Sequence, residues 1–197
     1  TFIGLKNRTA AERDIPVYAA ASGVAVAVST GAAATGTPCG AGVMLDHGGG
    51  WLTRYCHLKK GSVRVDAGQT VRQGEILAYA GETGDAQWPG LHFDVSRDGT
   101  FIDPLSGRSR HQGCGPVENA LWPGTLTARL QPVSVIDAGF AAAAPDMNKV
   151  KEGLPALLTM PDRIPRLVFW AHIAGVEKGD HVSLKIIGPR KDVIASL

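Results

Sequence analysis

Glycine-containing turns interrupt residues 1–105 so often that long helices have no room to form. The turns read "ASG", "HGGG", "DAGQ", "RQGE" and "RDGT", and 25 of the 197 residues are glycine. Glycine adopts positive φ angles without a steric penalty, and Asp, Ser and Gln hydrogen-bond locally in turns. The segments between the turns show no apolar residues repeating at the helical spacing of about 3.6 residues. The sequence therefore predicts an all-β domain made of an antiparallel sheet.

Short apolar segments between these turns are the candidate strands. They are Pro16–Ala20, Gly23–Ser29, Gly42–Asp46, Trp51–His57, Gln69–Val71, Ile76–Ala80 and Leu91–Ser96. The opening "TFIGL" also resembles the inside of a strand, so we expect the chain to be a fragment of a longer protein.

The rest of the chain predicts a linker and a second β domain. Residues 106–124 are rich in Gly, Pro and polar residues, which is typical of a linker. Further strands are predicted within "LTARLQPVSVID", "PRLVFWAHIAG", "HVSLKIIG" and "DVIASL", with a short helix at Pro145–Glu152. We therefore predict that residues 125–197 form a small Ig-like β-sandwich that is incomplete at its C-terminal end.

Charge and hydropathy exclude some classes of partner. The formal net charge of +2 is too small to indicate a nucleic-acid partner. No apolar run approaches the roughly 20 residues of a membrane-spanning helix. We therefore expect neither a nucleic-acid partner nor a membrane span in this chain.

Two of the three cysteines flank a glycine turn symmetrically. "CGAGVMLDHGGGWLTRYC" reads as strand, turn and strand, and pairing outward from the turn brings Cys39 opposite Cys56. An opposed pair in an antiparallel ladder can form a disulfide, although two reduced core cysteines would fit the same pattern. We predict the disulfide, and with it an oxidising compartment. Cys114 is left without a predicted partner.

Several motifs, taken in order, resemble the LytM or lysostaphin-type zinc endopeptidases of bacterial cell walls. They are "IPVYAAASGVAVAV", "GVMLDHGGGWLTRYCHL", "VRQGEILAYAGETG" and "LHFDV…DGTFIDP", which together cover residues 1–105. The resemblance implies a sheet with a peptide-binding groove and one zinc ion. In that family a His, an Asp and the second His of an H-x-H strand bind the zinc. The first His of H-x-H and the His of a "Y-x-H-L" strand act on substrate and water.

This sequence keeps only part of that set. His92 matches the zinc-binding His of H-x-H, and His57, in "YCHL", matches the catalytic His of the middle strand. Gly90 stands where the first His of H-x-H belongs, and Phe2 stands where the ligand Asp belongs. The remaining ligand His would precede Thr1.

These replacements predict a disabled catalytic centre. A catalytic zinc ion needs three protein ligands and a bound water, and a Phe ring offers no lone pair. A missing acid–base group typically lowers a rate by about 10²–10⁴-fold. We therefore expect no bound cofactor and no confident catalytic or metal-binding residue. In the alternative interpretation, His57 and His92 are histidines hydrogen-bonded within the strand framework. Asp94 shares a strand face with His92 and either orients it or is a solvated carboxylate, and we expect the second.

The leading hypothesis is an inactive peptidase-like module of the periplasm or secreted cell envelope. Its groove, lined by His57, His92, Trp88 and Tyr55, would bind peptidoglycan stem peptides or a cell-wall hydrolase that it activates. The alternative is an active zinc endopeptidase that uses Asp85, Glu82 or Asp103 as substitute ligands. A third possibility, a biotinyl or lipoyl carrier suggested by "VDAGQTVRQGEILAYAG", is disfavoured because no modifiable Lys stands on that hairpin.

Overall fold

The computed structural model describes residues 1–31, 37–109, 112, 119–124, 133–153 and 163–196. An antiparallel sheet of seven strands forms the N-terminal half, in the order β1-β8-β5-β4-β3-β6, with β9 paired to β8. Its strands are β1 (Phe2–Gly4), β3 (Gly23–Ser29), β4 (Ala41–Asp46), β5 (Trp51–Leu58), β6 (Thr70–Val71), β8 (Gly90–Arg97) and β9 (Thr100–Ile102). A separate two-stranded ribbon pairs β2 (Pro16–Tyr18) with β7 (Ile76–Tyr79). The predicted all-β sheet domain is confirmed.

One face of the main sheet carries the hydrophobic core. Leu45 on β4, Tyr55 and Leu58 on β5, and Phe93 and Val95 on β8 are buried there. Successive side chains of a strand point to opposite faces. The intervening residues of β8, His92 and Asp94, therefore belong to the other, more open face.

The outer edge of β8 is shared by two short strands. β1 pairs with the start of β8, with Phe2 opposite His92 and Gly4 opposite Gly90. β9 pairs with the end of β8, from Val95 to Arg97. Neither β9 nor the four-residue helix α1 (Arg8–Ala11), which Asn7 caps at its N-terminus, is predicted from the sequence.

The described C-terminal residues form two β ribbons. β10 (Ser134–Ala141) pairs with β11 (Val168–Ala174), and β12 (Lys185–Ile187) pairs with β13 (Val193–Ser196). Among the described residues these ribbons remain two-stranded, so the predicted Ig-like sandwich is not seen. Ile187 on β12 and Ile194 on β13 are each 63% exposed, so no second sheet among the described residues covers this ribbon.

The short helix predicted near residue 145 is present as α2 (Met147–Glu152). The Asp146 side chain accepts a hydrogen bond from the Asn148 amide at the N-terminus, and Gly153 ends the helix with a left-handed φ of 104°. Both residues are common at these helix ends. Cys114 and His111 lie outside the described residues. In the described part of the chain, no helix is long and apolar enough to cross a membrane.

Candidate functional site

The open face of β1, β8 and β5 brings the sequence-predicted residues together in a row. Phe2 lies opposite His92, which in turn lies opposite Cys56. Two residues along each strand, on the same face, Asp94 lies opposite Arg54. This row is the floor of the candidate site.

Gly90 is closely covered by β1. A Cβ atom at position 90 would lie 2.5 Å from the Ile3 carbonyl oxygen, 2.7 Å from Cζ of Phe2 and 3.0 Å from Cα of Gly4. Contacts this short require atoms to move, and two of the three contacts are with backbone. The Phe2 ring and the backbone of β1 therefore occupy the space into which a side chain at position 90 would project.

His92 belongs to a chain of charged hydrogen bonds. Its Nε2 lies 2.9 Å from Oδ1 of Asp94, and Nη2 of Arg54 donates to Oδ2 of Asp94 at 2.5 Å. Burial raises the pKa of Asp94, but the hydrogen bonds and charges of Arg54 and His92 outweigh burial and hold it below its ordinary value. The expectation of a solvated Asp94 is wrong, because this carboxylate is only 14% exposed and orients the His92 ring.

His57 approaches the same row from an unusual backbone conformation. Its φ is +63°, a value uncommon for residues other than glycine. Its Nδ1 lies 2.8 Å from the Thr83 carbonyl oxygen, to which it can only donate. The His57 and His92 rings are 5.9 Å apart in an edge-to-face arrangement. In neutral His57, Nε2 is therefore the acceptor nitrogen.

The predicted disulfide between Cys39 and Cys56 is confirmed, with a Cα–Cα distance of 4.8 Å. The reasoning that placed the two residues directly opposite each other is wrong. Pairing shifts between Ala41 and Val43, and Cys39 precedes β4. The Cys39 carbonyl accepts a hydrogen bond from the His57 amide at 2.8 Å, so the disulfide lies beside the backbone of the candidate site.

Two predicted groove residues have other surroundings. Tyr55 is 1% exposed, and its hydroxyl accepts a hydrogen bond from the Ala20 amide within the core, so the prediction that it lines the groove is wrong. Trp88 donates from Nε1 to the Leu5 carbonyl, and its ring lies 4.2 Å from the ring of His172 on β11. His172 thus covers one side of Trp88.

A cleft of about 710 Å³ opens next to His92, in the gap between β1 and β9. Arg54, His92 and Asp94 line it on the sheet, and Phe101 and Arg108 line it from β9 and the following loop. Of the four predicted groove residues, only His92 contacts this cleft. The sequence missed Arg54 and Phe101, whose guanidinium and ring lie 5.8 Å apart.

The side chains present do not fit a catalytic zinc ion. Among the residues that the structure describes, no three His, Cys, Asp or Glu side chains are placed to hold one metal ion. Glu82 is bound by Arg8 and Lys151. Asp103 accepts hydrogen bonds from Ser106, and exposed Asp85 is not grouped with His92. Although Asp103 lines the same cleft as His92, none of the three candidate substitute ligands belongs to a metal-binding group with His92 in the described part of the chain.

The sequence profile of "Peptidase family M23" matches residues 7–104. This half of the chain belongs to peptidase family M23. The match ends where the N-terminal sheet domain ends, and it includes His92 and Cys56 of the row. It begins after β1, which carries Phe2.

Curated relatives match the same half of the chain. An uncharacterized metalloprotease of Haemophilus influenzae is 40% identical over 91 residues, which are 46% of this chain and 18% of that protein. Cell division protein DipM of Caulobacter vibrioides is 39% identical over 61 residues, 31% of this chain and 10% of its own length. Peptidoglycan DD-endopeptidase ShyA of Vibrio cholerae is 35% identical over 90 residues, 46% of this chain and 19% of its own length. The chain thus spans less than a fifth of the length of each of these relatives.

Proposed function

We propose that this protein contains a catalytically inactive M23 domain that binds an extended peptide in the cleft beside His92. The ligand would be a stem peptide of peptidoglycan or a segment of a cell-wall hydrolase, and the setting would be cell-wall remodelling in the bacterial envelope. The observation that carries the proposal is the packing of Phe2 and β1 against Gly90. The relatives named as a peptidoglycan endopeptidase and a cell division protein, together with the Cys39–Cys56 disulfide, support the envelope location.

The loss of activity follows from the chemistry of the two replaced positions. Phe2 supplies no ligand for a metal, and its ring stands next to His92 in the ladder. Gly90 supplies no proton donor or acceptor, and β1 leaves no room there for one. Since a zinc-bound water needs both the metal and a neighbouring acid–base group, the two replacements act on the same step.

The retention of binding follows from the cleft itself. Its volume of about 710 Å³ lies within the range of roughly 300–1,000 Å³ that ligand sites typically have. Phe101 offers an apolar ring, while Arg54 offers guanidinium donors to carboxylate or carbonyl oxygens. At the bordering edge of β8, Thr1 bonds both the amide and the carbonyl of Phe93, so an extended peptide would be held there by the side chains that line the cleft.

An active zinc endopeptidase is the second candidate function. The observation that favours it is the separation of 5.9 Å between the His57 and His92 rings, each with one nitrogen not bonded to Thr83 or Asp94. Two imidazoles give one ligand fewer than a catalytic zinc site uses. The inactive module therefore remains our proposal.

Metal and activity assays separate these two candidates. We expect protein purified without chelators and dialysed gently to contain far less than one zinc ion per chain. We also expect no soluble fragments from labelled bacterial sacculi, with or without added zinc. An M23 endopeptidase of known activity serves as the positive control. Zinc-dependent release of fragments by this protein would establish the endopeptidase instead.

Binding should depend on the aromatic wall of the cleft. Phe101→Ala should weaken binding to sacculi or to a purified cell-wall hydrolase by about tenfold, because it removes an apolar contact surface of a size worth roughly 1–3 kcal/mol. Tyr18→Ala is the matched control, since Tyr18 is an exposed aromatic residue on β2, outside the cleft. Co-sedimentation with sacculi and surface plasmon resonance with the hydrolase measure the effect. Equal binding by both variants would contradict a role for the cleft.

A further inference from the structure

The C-terminal part of the chain contacts the M23 domain at two places. At the first place, Asp137 and His172 face each other across the β10–β11 ribbon. Asp137 forms an ion pair with Lys6 at 3.0 Å, and the His172 ring lies 4.2 Å from the ring of Trp88. The ribbon thus presents a carboxylate and an aromatic ring, side by side, to a lysine and a tryptophan of the M23 domain.

At the second place, the end of α2 contacts α1 and the loop before β8. Glu152 accepts a hydrogen bond from Oγ1 of Thr9 through its carbonyl at 2.7 Å and pairs with Arg8 through its carboxylate. Lys151 pairs with Glu82, which also binds Nε of Arg8 at 2.5 Å. A Cβ at Gly153 would lie 2.8 Å from Oγ1 of Thr9, so the two backbones approach closely here.

Both contacts hold the segment that directly follows β1. β1 has only three residues, and Phe2 and Ile3 are 46% and 40% exposed. A strand this short at the edge of a sheet is expected to open readily. Leu5 holds the C-terminal end of β1 in place. The Leu5 amide donates to the Pro89 carbonyl, and the Leu5 carbonyl accepts from Nε1 of Trp88.

β1 also limits the candidate peptide site. It covers the edge of β8 from Gly90 to His92, next to the cleft, and it carries the Phe2 ring that packs on Gly90. Thr1, just before β1, also bonds the amide and the carbonyl of Phe93 on β8. If β1 leaves the sheet together with Thr1, the edge of β8 from Gly90 to Phe93 becomes free. A longer free edge offers more backbone hydrogen bonds to an extended peptide.

We propose that Asp137, Lys151, Glu152 and His172 form an intramolecular clamp that holds β1 on the sheet and thereby controls how much of the β8 edge a peptide can use. The part of this proposal that concerns peptides rests on the proposed function. The part that concerns β1 is independent of any ligand.

Lys151 is the most useful residue of the clamp to change. The Lys151 and Glu82 side chains are each 17% exposed, whereas Lys6 is 58% exposed, and partly buried pairs matter more than solvated ones. Burial raises the pKa of Glu82, but hydrogen bonds from Arg8 and Lys151 outweigh it, so the pKa lies below its ordinary value and the carboxylate is charged. Lys151→Glu would place a third carboxylate beside Glu82 and Glu152, with Arg8 as their shared cation.

Hydrogen exchange on the full chain, without ligand, tests the clamp. In Lys151→Glu we expect the amides of β1 and Leu5 to exchange at least about tenfold faster, while those of β4 keep their wild-type rates. Lys151→Arg is the matched control and should exchange like the wild type. If Lys151→Glu fails to fold, His172→Ala serves as the second test. It removes only the ring over Trp88 and should accelerate exchange of the same amides. Faster exchange in α2 with unchanged exchange in β1 would overturn the clamp.

Co-sedimentation with purified bacterial sacculi tests the consequence for peptides. We expect Lys151→Glu to be retained several-fold more than Lys151→Arg. If β1 opens in Lys151→Glu but the variant and the wild type bind sacculi with the same affinity, the clamp does not control access to the β8 edge. If β1 opens and no form of the protein binds sacculi, the clamp is supported and sacculi are excluded as the ligand of the proposed function.

Discussion

Gly90→His should destabilise the protein by about 3 kcal/mol and should restore no peptidase activity. The new Cβ alone would lie 2.5 Å from the Ile3 carbonyl oxygen and 2.7 Å from the Phe2 ring, before the imidazole is added. Overpacking a tight site typically costs about 1–3 kcal/mol, and here β1 must move to admit the ring. For a chain of this size we expect the Tm to fall by roughly 10 °C.

Smaller substitutions separate the backbone contact from the ring contact. Gly90→Ala introduces the Cβ only, and Phe2→Ala removes the ring but leaves the Ile3 carbonyl in place. Gly90→Ala should therefore lower the free energy of unfolding less in the Phe2→Ala background than in the wild type. The loss should not vanish, because the Ile3 carbonyl remains in place. Urea denaturation measures all four proteins of this cycle. An unchanged Tm in Gly90→His would show that β1 yields freely and would contradict the packing argument.

Restoring the chemistry of the family thus requires more than restoring one histidine. The double variant Phe2→Asp with Gly90→His returns both side chains, yet the Cβ at position 90 still meets the backbone of Ile3 and Gly4. The local backbone of β1 has adapted to glycine. This close packing is the physical basis of our proposal that the site has a role other than hydrolysis.

Most of the N-terminal sheet could be predicted from the sequence because its strands alternate and its turns contain glycine. Gly23–Ser29 was predicted with the bounds that β3 has, and Ile76–Ala80 exceeds β7 by one residue. The elements missed, α1 and β9, have four and three residues. Elements this short carry too few residues for a periodic pattern, and contacts with the rest of the fold determine them.

The residues of the site could be predicted from the sequence, but the backbone irregularity that orients them could not. The resemblance to the LytM or lysostaphin-type endopeptidases was enough to assign His57, His92, Gly90 and Phe2 to one site. It could not show that β5 has an extra residue near Cys56, where the pairing passes from Tyr55 opposite Val43 to Leu58 opposite Ala41. That irregularity, with the positive φ of His57, puts Tyr55 and Leu58 in the core and separates His57 from the side of Tyr55.

Contacts between distant segments were not available from the sequence at all. Trp88 was predicted to face a peptide, and its ring instead contacts His172, which lies 84 positions later in the chain. Asp94 was expected in solvent, and it is held by Arg54 on the neighbouring strand. Both differences arise from tertiary packing, for which a single sequence offers no local signal.

Removing the disulfide should be the second large effect. Cys39→Ala with Cys56→Ala should lower the free energy of unfolding by about 3 kcal/mol, because a cross-link spanning a loop of this length restricts the unfolded chain. The two cysteines are separated by 17 positions. The effect should exceed the cost of truncating two small side chains, since Cys56 is buried but Cys39 is only partly so.

The consequence should extend to His57, because the loop that carries Cys39 positions it. The Cys39 carbonyl accepts from the His57 amide, and the Thr83 carbonyl faces Nδ1 of the same residue. Without the cross-link the Cys39 loop can move away from β5, and we expect the His57 amide to lose protection from hydrogen exchange. Thermal unfolding with and without a reductant supplies the control. The reductant should lower the Tm of the wild type towards that of the variant and leave the variant unchanged. Equal Tm values for the oxidised wild type and the variant would mean that the disulfide adds no stability, and unchanged exchange at His57 would mean that β5 fixes this residue without it.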